Sequence, residues 1–296
     1  MSETVLPEFI ESQIPAFIKR KTIRIEDYDI HYMESGQGTP VFLMHGNPTW
    51  SFLYRKVIAA LDPNQYRCIA PDLVGLGFST KPTNGAFHTL ENHQRIMSKL
   101  IAALIKEDFI FVGQDWGGPI GLLASINHPS NIKGMVLMNT SVLPPLPSFK
   151  PTAFHKFSHR PLLSDFVFRI LKFPQNSLHK VQGDAKSIKG KVAKAYTYPL
   201  RKIKYNKAPL MLARMVPNSL DHASIPLLEK TKAFAAQFTN PVALVWGKKD
   251  PILGRLASAH QKLMPHTSLL LTDGGHFIQE EHPGLIAKAI VEVNTK

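Results

Sequence analysis

The chain is 296 residues long, is 44% hydrophobic and carries a formal net charge of +13. Its single cysteine excludes an internal disulfide, and no apolar run approaches the ~20 residues that a membrane span needs. Residues 1–8 lack a basic stretch followed by an apolar one, so we expect no signal peptide and a cytoplasmic protein.

The first part of the chain predicts alternating strands and helices. Apolar residues alternate on both sides of a turn at Glu26-Asp27, and a continuous apolar run such as residues 40–44 is typical of a buried parallel strand. The predicted elements are two strands within residues 21–34, strands at 40–44, 66–70, 109–112 and 135–138, and helices at 51–61, 90–106 and 119–126.

A glycine-rich turn separates the strand at residues 109–112 from the helix that follows it. Gly113, Asp115 and Gly117 match the Gly-x-nucleophile-x-Gly pattern of a nucleophile elbow. The central residue of an elbow is strained, so its neighbours must be small. An aspartate there attacks carbon and forms an ester, which must then be hydrolysed. The alternative is an ordinary strand–helix turn with an aspartate near the helix N-terminus.

The composition changes at Pro144, Pro145 and Pro147. Residues 142–226 contain 15 Lys or Arg against 3 Asp, and their spacing of apolar residues looks helical. We therefore predict the first part of a core at residues 1–141, an inserted helical cap at 142–226, and the second part of the core at 227–296. We interpret the basic excess of the cap as a solvated face, with no nucleic-acid and no membrane partner.

Strands and helices alternate again after the cap, with strands predicted at 241–246 and 267–271 and helices at 256–262 and 283–293. This alternation predicts the α/β class, with a mostly parallel sheet and helices on both faces. Ligands of such sheets bind beyond the carboxyl ends of the strands. We expect one shared site for four residues that each follow a predicted strand: Asn47, Asp115, Asp250 and His276.

The order nucleophile, acid, histidine along the chain is Asp115, Asp250, His276, which is the order of the α/β-hydrolases. Asp250 is expected to accept a hydrogen bond from His276 and to fix its tautomer. The alternative for Asp250 is a turn aspartate before Pro251.

Four motifs make the chain resemble the haloalkane dehalogenase family over nearly its whole length. They are His45-Gly46-Asn47-Pro48-Thr49-Trp50-Ser51, Pro71-Asp72-Leu73-Val74-Gly75-Leu76-Gly77-Phe78-Ser79, Gly113-Gln114-Asp115-Trp116-Gly117-Gly118 and Gly275-His276-Phe277. The resemblance implies an α/β-hydrolase fold with an inserted helical cap. It also implies that Asp115 is the nucleophile, that His276 is the base, and that Asn47 and Trp116 bind the halide.

The resemblance also bears on the catalytic acid and on the cap. Some members carry a glutamate where this chain has Asn139-Thr140, and others carry an aspartate that corresponds to Asp250. The pair of Asn47 and Asp250 is therefore similar to the subgroup with an asparagine halide ligand and an aspartate acid. The segment ending in Pro217 resembles a family segment whose proline lines the halide pocket.

The implied activity is the hydrolysis of a haloalkane to a primary alcohol, a halide ion and a proton through an alkyl ester of Asp115. A halide leaves without a proton, so it needs only donors aimed at the developing anion, such as the side-chain N–H groups of Asn47 and Trp116. The expected partners are a small halogenated aliphatic substrate, water and halide. We expect no metal and no organic cofactor, and the sequence makes no prediction about the oligomeric state.

The main alternative is an epoxide hydrolase with the same Asp-His-Asp triad. It needs cap tyrosines as acids, and Tyr196, Tyr198 and Tyr205 are available. That family usually has a large apolar residue at the place of Asn47 and histidine at the place of Gln114, so both positions favour a dehalogenase. Fluoroacetate dehalogenases differ by an arginine after the nucleophile. A non-catalytic ligand-binding relative and a nucleic-acid-binding protein are the remaining hypotheses.

Overall fold

A computed structural model describes residues 6–128 and 131–295 of the chain. Residues 1–5, which form part of the stretch used to predict that no signal peptide is present, lie outside the described residues.

Eight strands of the described chain form one sheet in the order β1-β2-β4-β3-β5-β6-β7-β8. The pairs β1/β2 and β2/β4 are antiparallel, and all other neighbours are parallel. The strands are β1 (Lys19–Ile25), β2 (Tyr28–Ser35), β3 (Thr39–Met44), β4 (Tyr66–Pro71), β5 (Phe109–Asp115), β6 (Ile132–Thr140), β7 (Val242–Gly247) and β8 (Ser268–Thr272). The predicted mostly parallel sheet is confirmed.

Helices cover both faces of the sheet, as expected for parallel strands joined by crossovers. The α-helices of the described residues are α1 (Glu8–Glu11), α2 (Arg55–Ala59), α3 (Leu90–Leu104), α4 (Gly117–Ile126), α5 (Ala153–Ser158), α6 (Leu163–Asp165), α7 (Gly190–Thr197), α8 (Ala208–Arg214), α9 (Ile225–Gln237), α10 (Ala257–Leu263), α11 (Ile278–Glu281) and α12 (Pro283–Thr295). The helix predicted at residues 51–61 is shorter than expected, because Ser51–Tyr54 forms a 3-10 turn and only Arg55–Ala59 is α-helical.

The side chains of β3 show how the sheet divides the core. Val41 and Leu43 point into one cluster, which includes residues of α2 and α12, while Phe42 and Met44 point into the other, which includes residues of α3, α4 and α9. All four are fully buried. A strand buried on both faces loses the polar alternation of an exposed one, which is why β3 reads as a continuous apolar run.

The predicted cap, residues 142–226, contains α5 to α8 and several 3-10 turns, and its described residues contain no strand. Its limits remain a prediction. Tyr196 of α7 reaches into the core, where its hydroxyl donates to Glu280 of α11 at 2.6 Å. Glu280 also accepts two hydrogen bonds from the buried guanidinium of Arg55, at 2.6 and 3.0 Å. This buried cluster fixes α7 of the cap to the core.

Candidate active site

The elbow lies where β5 ends and α4 begins. Asp115 is the last residue of β5 and has a φ of +50°, in the left-handed region that is strained for a residue with a side chain. The surrounding backbone is close: a Cβ on Gly46 would lie 2.2 Å from Oδ1 of Asp115, and one on Gly117 would lie 2.1 Å from the carbonyl oxygen of Met44. Only glycine fits at positions 46 and 117. The glycines of both motifs therefore allow the elbow that carries Asp115 to pack closely against the end of β3.

The structure brings Asp115, His276 and Asp250 together. Nε2 of His276 lies 3.6 Å from Oδ2 of Asp115, and Nδ1 lies 2.9 Å from Oδ2 of Asp250. Asp115 ends β5, and the loops that carry Asp250 and His276 follow β7 and β8 of the same sheet. The side chains of His276 and Asp250 are buried, whereas that of Asp115 is 16% exposed. Asp115 is therefore the member of the group that an entering molecule can reach.

The two carboxylates determine the protonation of His276. Burial alone lowers the pKa of this imidazole. The charge of Asp250, the hydrogen bonds to Asp115 and Asp250, and the charge of Asp115 outweigh burial and raise the pKa to about 10. With this pKa, the imidazole of His276 carries a proton on both ring nitrogens at neutral pH. Loss of the charge of Asp115 would remove part of what raises this pKa.

Asn47 lies directly beside Asp115, because β3 and β5 are neighbours in the sheet. Its backbone N–H donates to Oδ1 of Asp115 at 2.7 Å. Its side-chain Nδ2 donates to the carbonyl of Pro209 in α8 of the cap at 3.0 Å, which leaves the second N–H of that amide available. The contact with Pro209 was not predicted, and it joins the cap to the candidate halide ligand.

Trp116 follows Asp115 at the N-terminus of α4, and its side chain is largely buried. No acceptor for its indole N–H is found within residues 6–128 and 131–295. An N–H donor of this kind, next to the candidate nucleophile Asp115, suits a small anion.

Three further polar residues, to which the sequence analysis gave no role, hold the backbone around Asp115 and His276. Nδ2 of Asn139 donates to the carbonyls of Gly275 and His276 at 2.7 and 2.9 Å, so it holds the histidine loop where some relatives would carry the acid. Nε2 of Gln114 donates to the carbonyl of His276 at 3.3 Å, and Oγ1 of Thr140 donates to the carbonyl of Asp115 at 2.6 Å.

Pro217 is buried just beyond the end of α8. The cap residue that the structure places against the site is Pro209, through its carbonyl group. The role of Pro217 as a pocket residue remains a prediction.

Comparisons with known proteins bear on the fold and the family. Residues 39–283 match a family described as the alpha/beta hydrolase fold. Haloalkane dehalogenase 2 of Mycobacterium bovis is 32% identical over 271 residues, which cover 89% of this chain and 90% of that protein. A cis-3-alkyl-4-alkyloxetan-2-one decarboxylase of Shewanella oneidensis is 29% identical over 287 residues, which cover 95% of this chain and 86% of that protein.

The fold is also seen in a crystal structure of the haloalkane dehalogenase DatA from Agrobacterium tumefaciens. It has a TM-score of 0.83 and 24% sequence identity, and the match covers 95% of this chain and 99% of that chain. The predicted α/β-hydrolase fold is thus confirmed. The chain belongs to the haloalkane dehalogenase family of the α/β hydrolases.

Proposed function

We propose that this protein is a haloalkane dehalogenase that uses Asp115 as its nucleophile. A carboxylate oxygen of Asp115 attacks the carbon that carries the halogen, the carbon–halogen bond breaks with its electron pair, and an alkyl ester and a halide ion result. The observation that carries this proposal is the partly exposed carboxylate of Asp115, held on an elbow 3.6 Å from Nε2 of a histidine whose other nitrogen contacts Asp250.

The second step is hydrolysis of that ester. His276 takes a proton from water, the resulting hydroxide attacks the carbonyl carbon of the ester, and the alcohol leaves with the proton. The backbone N–H of Asn47, which donates to Asp115 at 2.7 Å, is suited to stabilise the oxyanion together with the backbone N–H of Trp116. Esterification removes the charge of Asp115, and the pKa of His276 then falls from about 10. The imidazolium can then release its proton to solvent, and the neutral imidazole acts as the base in the second step.

The cap tyrosines favour this proposal over an epoxide hydrolase. An epoxide opens to an alkoxide that needs a proton, and that reaction uses tyrosine hydroxyls that face the nucleophile. The hydroxyl of Tyr196 donates to Glu280, the ring of Tyr198 packs on Phe9 and Arg201, and Tyr205 lies among lysines. Halide and carboxylate leaving groups need no such acid.

One relative supports a second candidate function. The Shewanella protein, named for the decarboxylation of dialkyl oxetan-2-ones, aligns with 95% of this chain. If Asp115 attacked the saturated ring carbon bound to the ring oxygen, the ring would open to a carboxylate, which like halide forms as an anion without a proton. The bond from the chain to that carboxylate would then break to release carbon dioxide, and its electron pair would form an alkene and expel Asp115 as a carboxylate. The N–H donors at Asn47 and Trp116 suit both leaving groups, so decarboxylation of an alkyl-substituted oxetan-2-one is the alternative.

Replacing the base tests the function and the mechanism together. In His276→Phe with 1-bromobutane, alkylation should proceed and hydrolysis should slow by about 10³-fold, so the protein should release about one bromide per site and then stop. Mass spectrometry should find a butyl adduct on the peptide that contains Asp115. The matched control is His266→Phe, since His266 is exposed on the surface and should turn over like the parent protein.

The outcomes separate the candidates. Steady turnover by His276→Phe, or an adduct on another residue, would contradict the mechanism. Absence of halide release from bromo- and iodoalkanes by the parent protein, together with carbon dioxide release from a cis-dialkyl oxetan-2-one, would select the decarboxylase. Rapid trapping of an epoxide without halide release would select the epoxide hydrolase.

A further inference from the structure

The outer surface of the cap has an apolar stretch on one continuous helical segment, formed by α6 and a π-helical turn at Phe166–Ile170. Leu162 at its start is 86% exposed, and the other large apolar side chains on that side are also exposed. We name the set the outer apolar face; it consists of Leu162, Leu163, Phe166, Ile170 and Leu171. A surface helix normally presents polar residues to water, so this face is unusual.

The opposite side of the same segment already faces the interior of the cap. Phe168 is fully buried, stacks with Phe157 and meets the ring of Phe173 edge-on. Arg214 of α8 donates to Oγ of Ser164 at 2.9 Å and to the carbonyl of Ser158 at 2.8 Å. Because these contacts fix the rotation of the segment, the outer apolar face cannot turn inward to complete the core.

Basic residues lie around this face, and within residues 6–128 and 131–295 they form no salt bridge with an acidic side chain. Lys156, Arg160, Lys202 and Lys204 are exposed, and the cap holds 15 Lys or Arg against 3 Asp. The acid within the segment is Asp165, which already pairs with Arg169, Lys207 and Arg214. The cations at the rim are therefore free to bind external anions.

The turn Ile203–Tyr205 extends the same surface. Nδ2 of Asn206 donates to the carbonyls of Phe168 and Arg169 at 2.9 and 3.2 Å, so this turn lies against the helical segment. Ile203 is exposed between Lys202 and Lys204. Apolar side chains interleaved with lysines form the pattern of an element that lies in a membrane interface.

We propose that the outer apolar face docks on a membrane surface that contains anionic phospholipids. The apolar side chains would enter the level of the acyl chains, and the lysines and arginines would bind the headgroup phosphates. The contact is peripheral, since no helix in the described ranges is both long and apolar enough to cross a bilayer. This proposal differs from the expectation that the basic excess of the cap is a solvated face with no membrane partner.

Charge favours a lipid surface over a second copy of the chain. Pairing two copies through this face would bring two strongly basic caps together, and their repulsion opposes a symmetric dimer. An anionic lipid surface complements both the charge and the apolar side chains. The proposal does not depend on the reaction assigned to Asp115.

Flotation with vesicles tests the proposal. The purified protein should float with vesicles of phosphatidylglycerol and phosphatidylcholine, should stay behind with phosphatidylcholine alone, and should bind less at high salt because salt screens the charges. The variant Leu162→Ser/Phe166→Ser/Ile170→Ser should bind anionic vesicles at least about tenfold more weakly, since it loses apolar insertion. Lys202→Glu/Lys204→Glu should weaken binding as well.

Exposed apolar residues of the core supply the matched control. Leu271→Ser/Val291→Ser removes similar side chains from β8 and α12 and should bind vesicles like the parent protein. All variants should keep the melting temperature and the halide release of the parent, because the replaced side chains are exposed. Failure of the parent protein to float would overturn the proposal, as would equal flotation of the outer-face variant. A dimer that the outer-face variant abolishes, without vesicle binding, would assign the face to self-association instead.

Discussion

The imidazole of His276 lies between two carboxylates, and the structure separates their effects. Asp250 contacts Nδ1 at 2.9 Å and forms no bond in the proposed reaction, whereas Asp115 loses its charge when it is alkylated. The charge of Asp250 is the largest contribution that raises the pKa of His276 against the effect of burial. Asp250 therefore sets both the tautomer of the imidazole and its basicity in the second step.

We predict that Asp250→Asn lowers the pKa of His276 from about 10 and slows ester hydrolysis by about 10³-fold, while alkylation of Asp115 changes little. The asparagine can also hold the wrong tautomer of the ring. Imidazole NMR titration would follow the pKa, and rapid-quench measurement of halide and alcohol would separate the two steps.

The control for this prediction is Asp273→Asn, which changes an exposed aspartate in the histidine loop that pairs with His282. It should keep both steps near the rates of the parent protein. Unchanged turnover in Asp250→Asn, with a large loss on changing another carboxylate, would reassign the acid.

The residues of the site were predictable to different degrees. Asn47, Asp115, Asp250 and His276 each follow a strand of one sheet, and this rule alone places them together. Asn139 was not predicted as a support, because it contacts backbone atoms of a loop 136 and 137 residues further along the chain. A hydrogen bond to backbone atoms leaves no pattern of residue types or spacing in the sequence.

At the scale of elements, a cap segment is hydrogen-bonded to the loop that carries the base. The backbone N–H of His276 donates to the carbonyl of Val181 at 2.8 Å. The side chain of Gln182 accepts from the N–H of Phe277 at 2.9 Å and donates to its carbonyl at 3.2 Å. Contact is so close that a Cβ on Gly275 would lie 2.3 Å from the carbonyl oxygen of Val181.

Glu281 strengthens the same junction. Its carboxylate accepts from the backbone N–H groups of Gly275, at 2.7 Å, and of Gly183 and Asp184 in the cap segment. These hydrogen bonds tie the cap segment to the histidine loop, so we expect displacement of this segment to displace the candidate base His276.

We predict that Gln182→Met slows ester hydrolysis about tenfold and leaves the alkylation of Asp115 nearly unchanged, since it breaks both bonds to Phe277 without reducing side-chain size. Gln182→Glu keeps the acceptor and should lose less. Single-turnover halide and alcohol release measure the two steps, and Gln237→Met on the exposed side of α9 is the control. Equal slowing of both steps by Gln182→Met would show a general loss of structure instead.

The elements themselves were easier to predict than their contacts. The apolar strands and α3, α10 and α12 lie close to their expected positions. Burial on both faces makes such strands continuous apolar runs, and burial of one face gives the helices a helical spacing of apolar residues. The cap was predicted as helical, yet its many short turns and its contacts with the histidine loop were not. The spacing of apolar residues in the cap indicates helices. Where each turn ends depends on tertiary hydrogen bonds, such as that from Asn206 to the carbonyl of Phe168.

At the scale of the whole molecule, buried neutral histidines link the fold to pH. Burial lowers the pKa of His88 and of His260 to about 4. It also lowers the pKa of His93 well below its ordinary value. In His260, Nδ1 contacts the carbonyl of Leu256 at 2.8 Å and Nε2 accepts from the N–H of Val142 at 3.2 Å. His88 and His93 face each other at 3.1 Å through one nitrogen each. A second proton on the ring of His260 would break its hydrogen bond with Val142. A second proton on whichever ring of His88 and His93 accepts would break their mutual hydrogen bond, and protonation of both rings would place two charges in contact.

We therefore predict that the protein loses stability as the pH falls from 6.5 to 5. A histidine with a lowered pKa in the folded state stays neutral there while the unfolded chain takes up a proton, so the free energy of unfolding decreases by about 1.5 kcal/mol for each such histidine. His276 does not lower the stability in this range. Its raised pKa stabilises the fold fully at a pH below the histidine pKa of the unfolded chain, and this effect is lost only as the pH rises toward 10.

Urea unfolding at pH 7, 6.5, 6, 5.5 and 5 would give the slope of the free energy of unfolding against pH. In His260→Gln the side chain can still accept from Val142 but cannot take a proton, so the slope should become shallower, while the exposed His266→Gln should keep the slope of the parent protein. An unchanged slope in His260→Gln would mean that His260 does not resist protonation in the folded protein.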